Sequence, residues 1–389
     1  MSGALDGVTI VDLTSVGMGP MATQLLADMG ADVIKIETAE GDVFRHVMPQ
    51  RHHGMGHPHL NLNRNKRSVV LDLKAPSGIE SLLALIASAD VFISNMRAPA
   101  MRRLGLDAET LTRKYPKLVY CGCYGYSERG PYAGRAAVDD TIQAASGLAW
   151  LQGSAGDEPP CYVKSVVADK VLALYVAQAV TAALFARERT GKGQAVEVPM
   201  FECMVSFLTV EHLAGKTFVP AEGPTGYSRL LNPFRRPFQT TDGYIGVVPY
   251  TDGQWKRFFE IIGAPELARD ERYRSQTARS RHFGQLYEII DVALKQKSTA
   301  AWVALLDDAD IPFAPVNSLD ALLDDPHLAA IGFWRKVDHP SEGALVQAGL
   351  PISFSLTPME VRRHAPAIGE HTEEILAGCV GSRNAESGH

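Results

Sequence analysis

The residues of this chain best suited to chemistry gather in the stretch 163–198. Asp169 closes a short apolar run, and a nearly all-apolar segment follows over 171–186. A basic, glycine-punctuated turn at 187–194 then leads into the β-type run 195–198. A carboxylate at the head of a helix has two readings. It is a preferred N-cap, since it accepts hydrogen bonds from first-turn amides that lack partners. It is also a competent nucleophile. The segment behind it is apolar on every face and should be buried. It reads as too short for a membrane span, with Gln178 and Thr181 interrupting it. Gly191-Lys192-Gly193 lacks the upstream glycine and the following Ser or Thr of a phosphate-binding loop.

Four other stretches carry reactive or charged side chains. Gly17-Met18-Gly19-Pro20-Met21-Ala22 matches G-x-G-x-x-A, and Glu37 lies at the end of the next β-type run. That pattern suits a dinucleotide: glycines admit a pyrophosphate to a helix N-terminus, and the acid holds a ribose. A nicotinamide-dependent oxidoreductase and a plain glycine-rich turn both stay open here. The stretch 45–59 holds His46, His52, His53, His57 and His59. It has no Cys or carboxylate at ligand spacing and is broken by Gly and Pro, so it reads as a surface loop with no metal. The basic cluster 63–67 reads as a solvated loop or an anion contact. Arg97, Arg102 and Arg103 follow a β-type run, where a guanidinium can clamp phosphate. Ordinary surface arginines account for them equally well.

The elements that must position these residues alternate. Runs of β type at 8–13, 31–37, 68–73, 90–94 and 118–124 are separated by helical patterns at 21–29, 76–88 and 107–115. That order predicts an α/β protein with a parallel, doubly wound sheet. Residues 217–237 are rich in Gly and Pro and read as a linker. Strands around a Thr-Asp-Gly turn (239–249) and amphipathic helices near 254–262, 283–294 and 300–306 predict a smaller domain beyond it. The formal net charge of −6 over 389 residues gives no support for nucleic-acid binding. Five scattered cysteines read as reduced thiols of a cytoplasmic protein. Neither a signal peptide nor membrane attachment is expected. No G-x-S-x-G elbow or H-E-x-x-H is present.

Taken together, the stretches 5–20, 27–37, 63–74, 188–200 (ERTGKGQAVEVPM), 311–326 and 368–376 (IGEHTEEIL) resemble the class III, formyl-CoA transferase-like (CaiB/BaiF) coenzyme A transferases. The resemblance implies a Rossmann-like large domain (1–216), a linker (217–237), a small inserted α+β domain (238–325) and a return to the large domain (326–389). It implies an interlocked homodimer, and a Rossmann-like sheet that binds coenzyme A instead of a nicotinamide. It places the nucleophile on Asp169, working through a mixed anhydride and an aspartyl-CoA thioester. Coenzyme A or acyl-CoA is then a substrate, with no tightly bound cofactor, and the partner is a small carboxylic acid. The matching contact positions are Val16, Gly17, Met18, Thr38, Leu71, Asp72, Leu73, Lys74, Asn95, Met96, Arg97 and Arg103. Asp140 matches an acid near the nucleophile and Met200 a residue lining the site. Position 17 is Gln in some transferases, so a backbone amide would serve here. The resemblance also admits an α-methylacyl-CoA racemase, whose second base would fall near Val138, an apolar residue that exchanges no proton. A non-catalytic coenzyme A-binding protein is the remaining alternative.

Overall fold

The computed structural model describes residues 3–153 and 158–378. Within them the chain forms two compact units, one of residues 3–152, 161–208 and 332–378, the other of 153, 158–160 and 209–331.

The first unit is built on six parallel strands: β1 (Thr9–Leu13), β2 (Asp32–Glu37), β3 (Lys66–Val70), β4 (Val91–Ser94), β5 (Val119–Tyr124) and β6 (Ala195–Pro199). Their spatial order is β3-β2-β1-β4-β5-β6, and every pairing is parallel. Chain order therefore reverses between β1 and β4. Loops leaving the carboxyl ends of those two strands diverge there and open a crevice. The sheet is covered on both sides, so the strands read as near-continuous apolar runs. Alternation divides each strand between two cores: Ile10, Val33 and Ile93 pack into one, and Val11, Ile34 and Phe92 into the other.

The helices of this unit are α1 (Met18–Asp28), α2 (His57–Leu62), α3 (Pro76–Ala87), α4 (Ala98–Leu104), α5 (Ala108–Lys114), α6 (Asp139–Ala145), α7 (Leu148–Gln152) and α8 (Val167–Thr190). A further helix, α9 (Met200–His212), opens directly from β6. Residues of α3, α4 and α5 fill the core that holds Val11; α1 and α8 supply most of the one that holds Ile10. Helix α8 starts earlier and ends later than its apolar run, because Ala168, Lys170 and the 187–190 segment are compatible with helix. At 24 residues it is long and apolar enough to cross a membrane by length and composition, contrary to the sequence expectation. Leu172, Val176, Val180 and Leu184 recur at helical spacing and are buried against the sheet and α1, as in a soluble core helix.

The second unit holds a three-stranded antiparallel sheet of β7 (Phe238–Gln239), β8 (Tyr244–Val247) and β9 (Phe313–Pro315). Helices α10 (Asp252–Ile261), α11 (Gln276–Ser280), α12 (Phe283–Leu294), α13 (Thr299–Asp308) and α14 (Pro326–Ala330) accompany it. Trp255, Phe258, Phe259, Leu286 and Trp302 form the core. Thr251 and Gln254 make a capping box that fixes where α10 begins. The chain then returns to the first unit through the hairpin β10 (Trp334–His339) and β11 (Gly343–Ala348), and residues 372–378 are helical.

Candidate active site

Every strand of the large sheet delivers residues to its carboxyl edge. Two cavities open there. One, of about 560 Å³, is lined by Thr38, Leu71, Asp72, Leu73, Lys74, Asn95, Met96 and Arg103, with Ser15 and the buried Lys35–Asp42 pair behind them. The other, of about 280 Å³, is lined by Ser15, Val16, Gly17, Met18, Asn95, Asp140, Asp169 and Met200. Ser15 and Asn95 border both, so the two cavities share a wall. Of the contact positions named from sequence, Arg97 lines neither; it is exposed at the start of α4.

Asp169 is the third residue of α8, not its cap; the cap position is Val166, and no side chain of the cap residue serves the helix end. The capping role falls to another helix. Asp139 of α6 accepts from the Asp169 amide through Oδ1 at 3.0 Å. Gln143 Nε2 donates to Asp139 Oδ2 at 2.6 Å and to the Ser165 carbonyl at 3.2 Å, while its Oε1 accepts from the Val163 amide at 2.9 Å. Both Asp139 and Gln143 are buried. Asp140 also lines the Asp169 cavity but is exposed on its rim. The acid in contact with Asp169 is its neighbour Asp139. The pair Asp139 and Gln143, four residues apart on one helix face, was the signal available in the sequence.

The Asp169 carboxylate has no hydrogen-bond or ion-pair partner among the described residues, and Asp169 is only 8 % exposed. Burial first, and then the like charge of Asp139, push its pKa up to about 7. The carboxylate lies against the backbone of Gly17, where an added Cβ would collide with Oδ2. A side chain at 17 would force the Asp169 carboxylate to move, so glycine is what permits this close approach in this arrangement.

The turn that carries Gly17 is held by side chains on nearly every backbone group. Asp12 Oδ1 accepts from the Thr14 amide, and Lys35 Nζ donates to the Thr14 carbonyl, at 3.0 and 2.8 Å. Asn95 accepts from the Ser15 amide at 3.1 Å and donates to the Ser15 carbonyl at 2.8 Å. Asp42 accepts from the Val16 amide with both oxygens, at 3.0 and 3.2 Å, and pairs with Lys35 at 3.0 Å. The clamp has a conformational purpose. Val16 has φ 71°, a left-handed conformation that costs a β-branched residue about 1–3 kcal/mol. Helix α1 then begins with the amides of Met18 and Gly19 free of intrahelical acceptors.

Glu37 cannot serve as a ribose-binding acid. It is buried, forms two hydrogen bonds with Arg45 (2.8 and 2.6 Å) and accepts from Ser68 at 2.7 Å. Burial alone would raise its pKa, but Arg45, Lys35 and Ser68 bring it down to about 2. The basic cluster 63–67 is likewise internal: Arg64 pairs with Asp28, Lys66 with Asp12 and Arg67 with Asp32. His59 is buried on Arg45 and the Pro366 carbonyl, and His52 meets Glu342. No group of metal-ligating side chains occurs among the described residues. No histidine or lysine lines the Asp169 cavity, and Val138 stands on its rim. The histidine that a racemase would pair with Asp169 is therefore not found beside it among the described residues.

The first unit thus combines a doubly wound sheet with a buried carboxylate, unpaired among the described residues, at the carboxyl edge of that sheet. A model of CoA-transferase family III matches residues 5–372. A succinate–glutarate CoA-transferase of Agrobacterium fabrum is 32 % identical over 385 residues, covering 96 % of this chain and 95 % of that relative. A formyl-CoA:oxalate CoA-transferase of Rhodopseudomonas palustris is 31 % identical over 407 residues, covering 98 % and 94 %. The crystal structure of a CAIB/BAIF family protein from Brucella suis superimposes with TM-score 0.81 at 31 % identity, covering 97 % of this chain and all of that one. The chain belongs to CoA-transferase family III.

Proposed function

We propose that this enzyme moves coenzyme A from a short acyl-CoA to a free carboxylic acid, with Asp169 as the covalent relay. The observation that carries the proposal is the buried Asp169 carboxylate, without a cation, facing a cavity that shares a wall with a larger cleft. The cleft suits the coenzyme. Arg103 and Lys74 offer charge to its phosphates, and Leu71, Leu73 and Met96 offer apolar surface. The thioester end would pass Ser15 and Asn95 to reach Asp169.

Chemistry proceeds by four acyl transfers. An Asp169 oxygen attacks the thioester carbonyl; the C–S bond breaks, the thiolate leaves, and a mixed anhydride forms. The thiolate then attacks the aspartyl carbonyl, releasing the donor acid and leaving an aspartyl-CoA thioester. The acceptor carboxylate attacks that thioester, breaking its C–S bond, expelling the thiolate and forming a second mixed anhydride; the thiolate finally attacks the acceptor's acyl carbon, giving the new acyl-CoA and regenerating the Asp169 carboxylate. No step changes oxidation state, and the anhydride keeps the transfer potential that an ordinary ester would lose. The amides of Met18 and Gly19 at the start of α1 are donors for the oxyanions. Water must be excluded while the anhydride lasts.

Two of the relatives act on dicarboxylic acids by name, and a short dicarboxylic acid is the acceptor class we adopt. Self-association fits the exposed apolar side chains of α8 and α9, Leu174, Phe185 and Phe207. A homodimer is the expected state in solution, and a single-chain mass by light scattering would overturn it.

The test is Asp169→Ala. Transfer between an acyl-CoA and a free acid is expected to fall about a thousandfold or more. Mass spectrometry of the wild-type enzyme trapped with hydroxylamine or borohydride should place the modification on residue 169. Turnover by the variant near the wild-type rate would end the proposal.

A further inference from the structure

The second unit has a cavity of its own, of about 240 Å³, lined by Arg229, Arg235, Arg236, Pro237, Phe238 and Tyr287 with residues 246–248. Three of its lining residues are arginines, and no acidic residue is among them in the described residues. None of the three has an ion-pair partner among the described residues. Arg257, Arg272, Arg274 and Arg279 of the same unit each sit against an acid. Arg229 is placed by side-chain contacts, whereas Arg235 and Arg236 are exposed and are held at their backbone. Arg229 is half-buried: its Nε donates to Tyr287 Oη at 3.0 Å, and its guanidinium lies 4.8 Å from the Phe283 ring centroid. Arg235 and Arg236 leave a turn closed by their own amides, which donate to the Asn232 and Phe234 carbonyls at 2.9 and 3.0 Å. The Asn232 side chain accepts from the Phe234 amide at 2.9 Å and locks that turn.

Like charges around one hollow repel, and an anion of charge two relieves that repulsion while each guanidinium offers paired donors to a planar carboxylate. Pro237 and Phe238 supply an apolar wall, which suits a methylene spacer between two carboxylates and does nothing for a compact phosphate. We infer that this cavity binds a small dianion, and specifically a short dicarboxylic acid. The dianion site stands on the side chains alone; a dicarboxylic acid as occupant rests on the transferase reading. Because binding is measured without turnover, failure of the site and failure of that reading are distinguishable.

The experiment is calorimetric titration of the full chain, at constant ionic strength, with succinate, inorganic phosphate and acetate. Wild type is compared with Arg235→Gln/Arg236→Gln and with Arg103→Gln, a change in the cleft of the first unit. Saturable succinate binding is expected, weakened about tenfold by the double substitution and unchanged by Arg103→Gln. Acetate should bind more weakly than succinate, since it has a single charge. The site is overturned if wild type shows no saturable binding of succinate or phosphate, or if the double variant binds them as wild type does. It is also overturned if only Arg103→Gln weakens binding. Phosphate binding tighter than succinate in wild type, and lost in the double variant, overturns the dicarboxylate as occupant.

Discussion

Two groups of buried carboxylates in the first unit are treated in opposite ways. Asp12, Glu37 and Asp42 lie beside Lys66, Arg45 and Lys35, each acid with its own cation. Asp139 and Asp169 lie beside each other with no cation among the described residues in contact. In the first group the charges offset burial: Glu37 is held at about 2 and Asp12 below its usual range. In the second, burial and the like charge act together and bring Asp169 to about 7. Under the proposed reaction, the difference separates scaffold from reagent. A paired carboxylate is locked in geometry and poor as a nucleophile, because its lone pairs are committed to donors. An unpaired one is destabilised when charged, and that instability is available to drive attack on a thioester.

The contrast is tested most severely by removing one cation from the paired group. Lys66→Met leaves Asp12 without its nearest ammonium in the interior, although Thr14, Thr23 and Lys35 remain. Loss of one partner of a buried pair costs about 3–5 kcal/mol, to be read from denaturant unfolding at pH 7. A variant as stable as wild type would show that the pair contributes nothing.

The unpaired group should respond with the opposite sign. Asp169 has a folded pKa of about 7, above the ordinary 3.8. Its protonated form is therefore stabilising below about pH 4, and that contribution is lost as pH rises through 7. Asp169→Asn should then stabilise the protein at pH 8, on the order of 2–4 kcal/mol, and hardly at all at pH 4. Glu37 runs the other way. Its folded pKa of about 2 gives stability above pH 4.5 that is lost as pH falls toward 2. Equal stabilisation by Asp169→Asn at pH 4 and pH 8 would break the comparison.

The two groups meet at the Ser15–Gly17 turn, since Asp42 holds Val16 and Gly17 packs on Asp169. Asp42→Asn keeps an acceptor for the Val16 amide but turns donors toward Lys35. The expected result is a drop of about tenfold in kcat with KM for acyl-CoA little changed, because the cleft persists while the turn loosens. A change confined to KM would assign Asp42 to coenzyme binding instead.

Much of this architecture was legible in the sequence. Alternating β and helical runs predicted the parallel sheet, and the loops after β1, β2, β3 and β4 carried the residues that line the cleft. Illegible were facts that depend on which side of a loop faces inward. The cluster 63–67 looks solvated by composition, yet Arg64 and Lys66 are buried against acids from α1 and β1. Glu37 looks like a ribose acid until Arg45, eight residues on, folds back over it. The left-handed Val16 leaves no trace in its residue type, since a β-branched side chain argues against that conformation. Two adjacent aspartates at 139 and 140 were separable only through Gln143.

Asp139 gives the smallest and most discriminating effect. In the proposed reaction only the ionised form of Asp169 attacks, so the rate of the first acyl transfer should rise with pH and level off above about 7. Burial is the larger cause of that raised pKa and Asp139 the smaller. Asp139→Asn removes the smaller cause and keeps an acceptor for the Asp169 amide, at the cost of the hydrogen bond from Gln143 Nε2, which the Ser165 and Val163 contacts hold in its present orientation. The acid limb should therefore move to lower pH by less than about one unit, leaving Asp169 still above an ordinary aspartate. The plateau rate should fall a few-fold at most, as a less destabilised carboxylate is a weaker nucleophile. Single-turnover acylation measured from pH 5 to 9 resolves both quantities. A limb that stays in place in Asp139→Asn would leave burial as the whole cause. A limb that shifts upward would mean that Asp139 stabilises the charged form of Asp169, and the two groups would no longer be opposites.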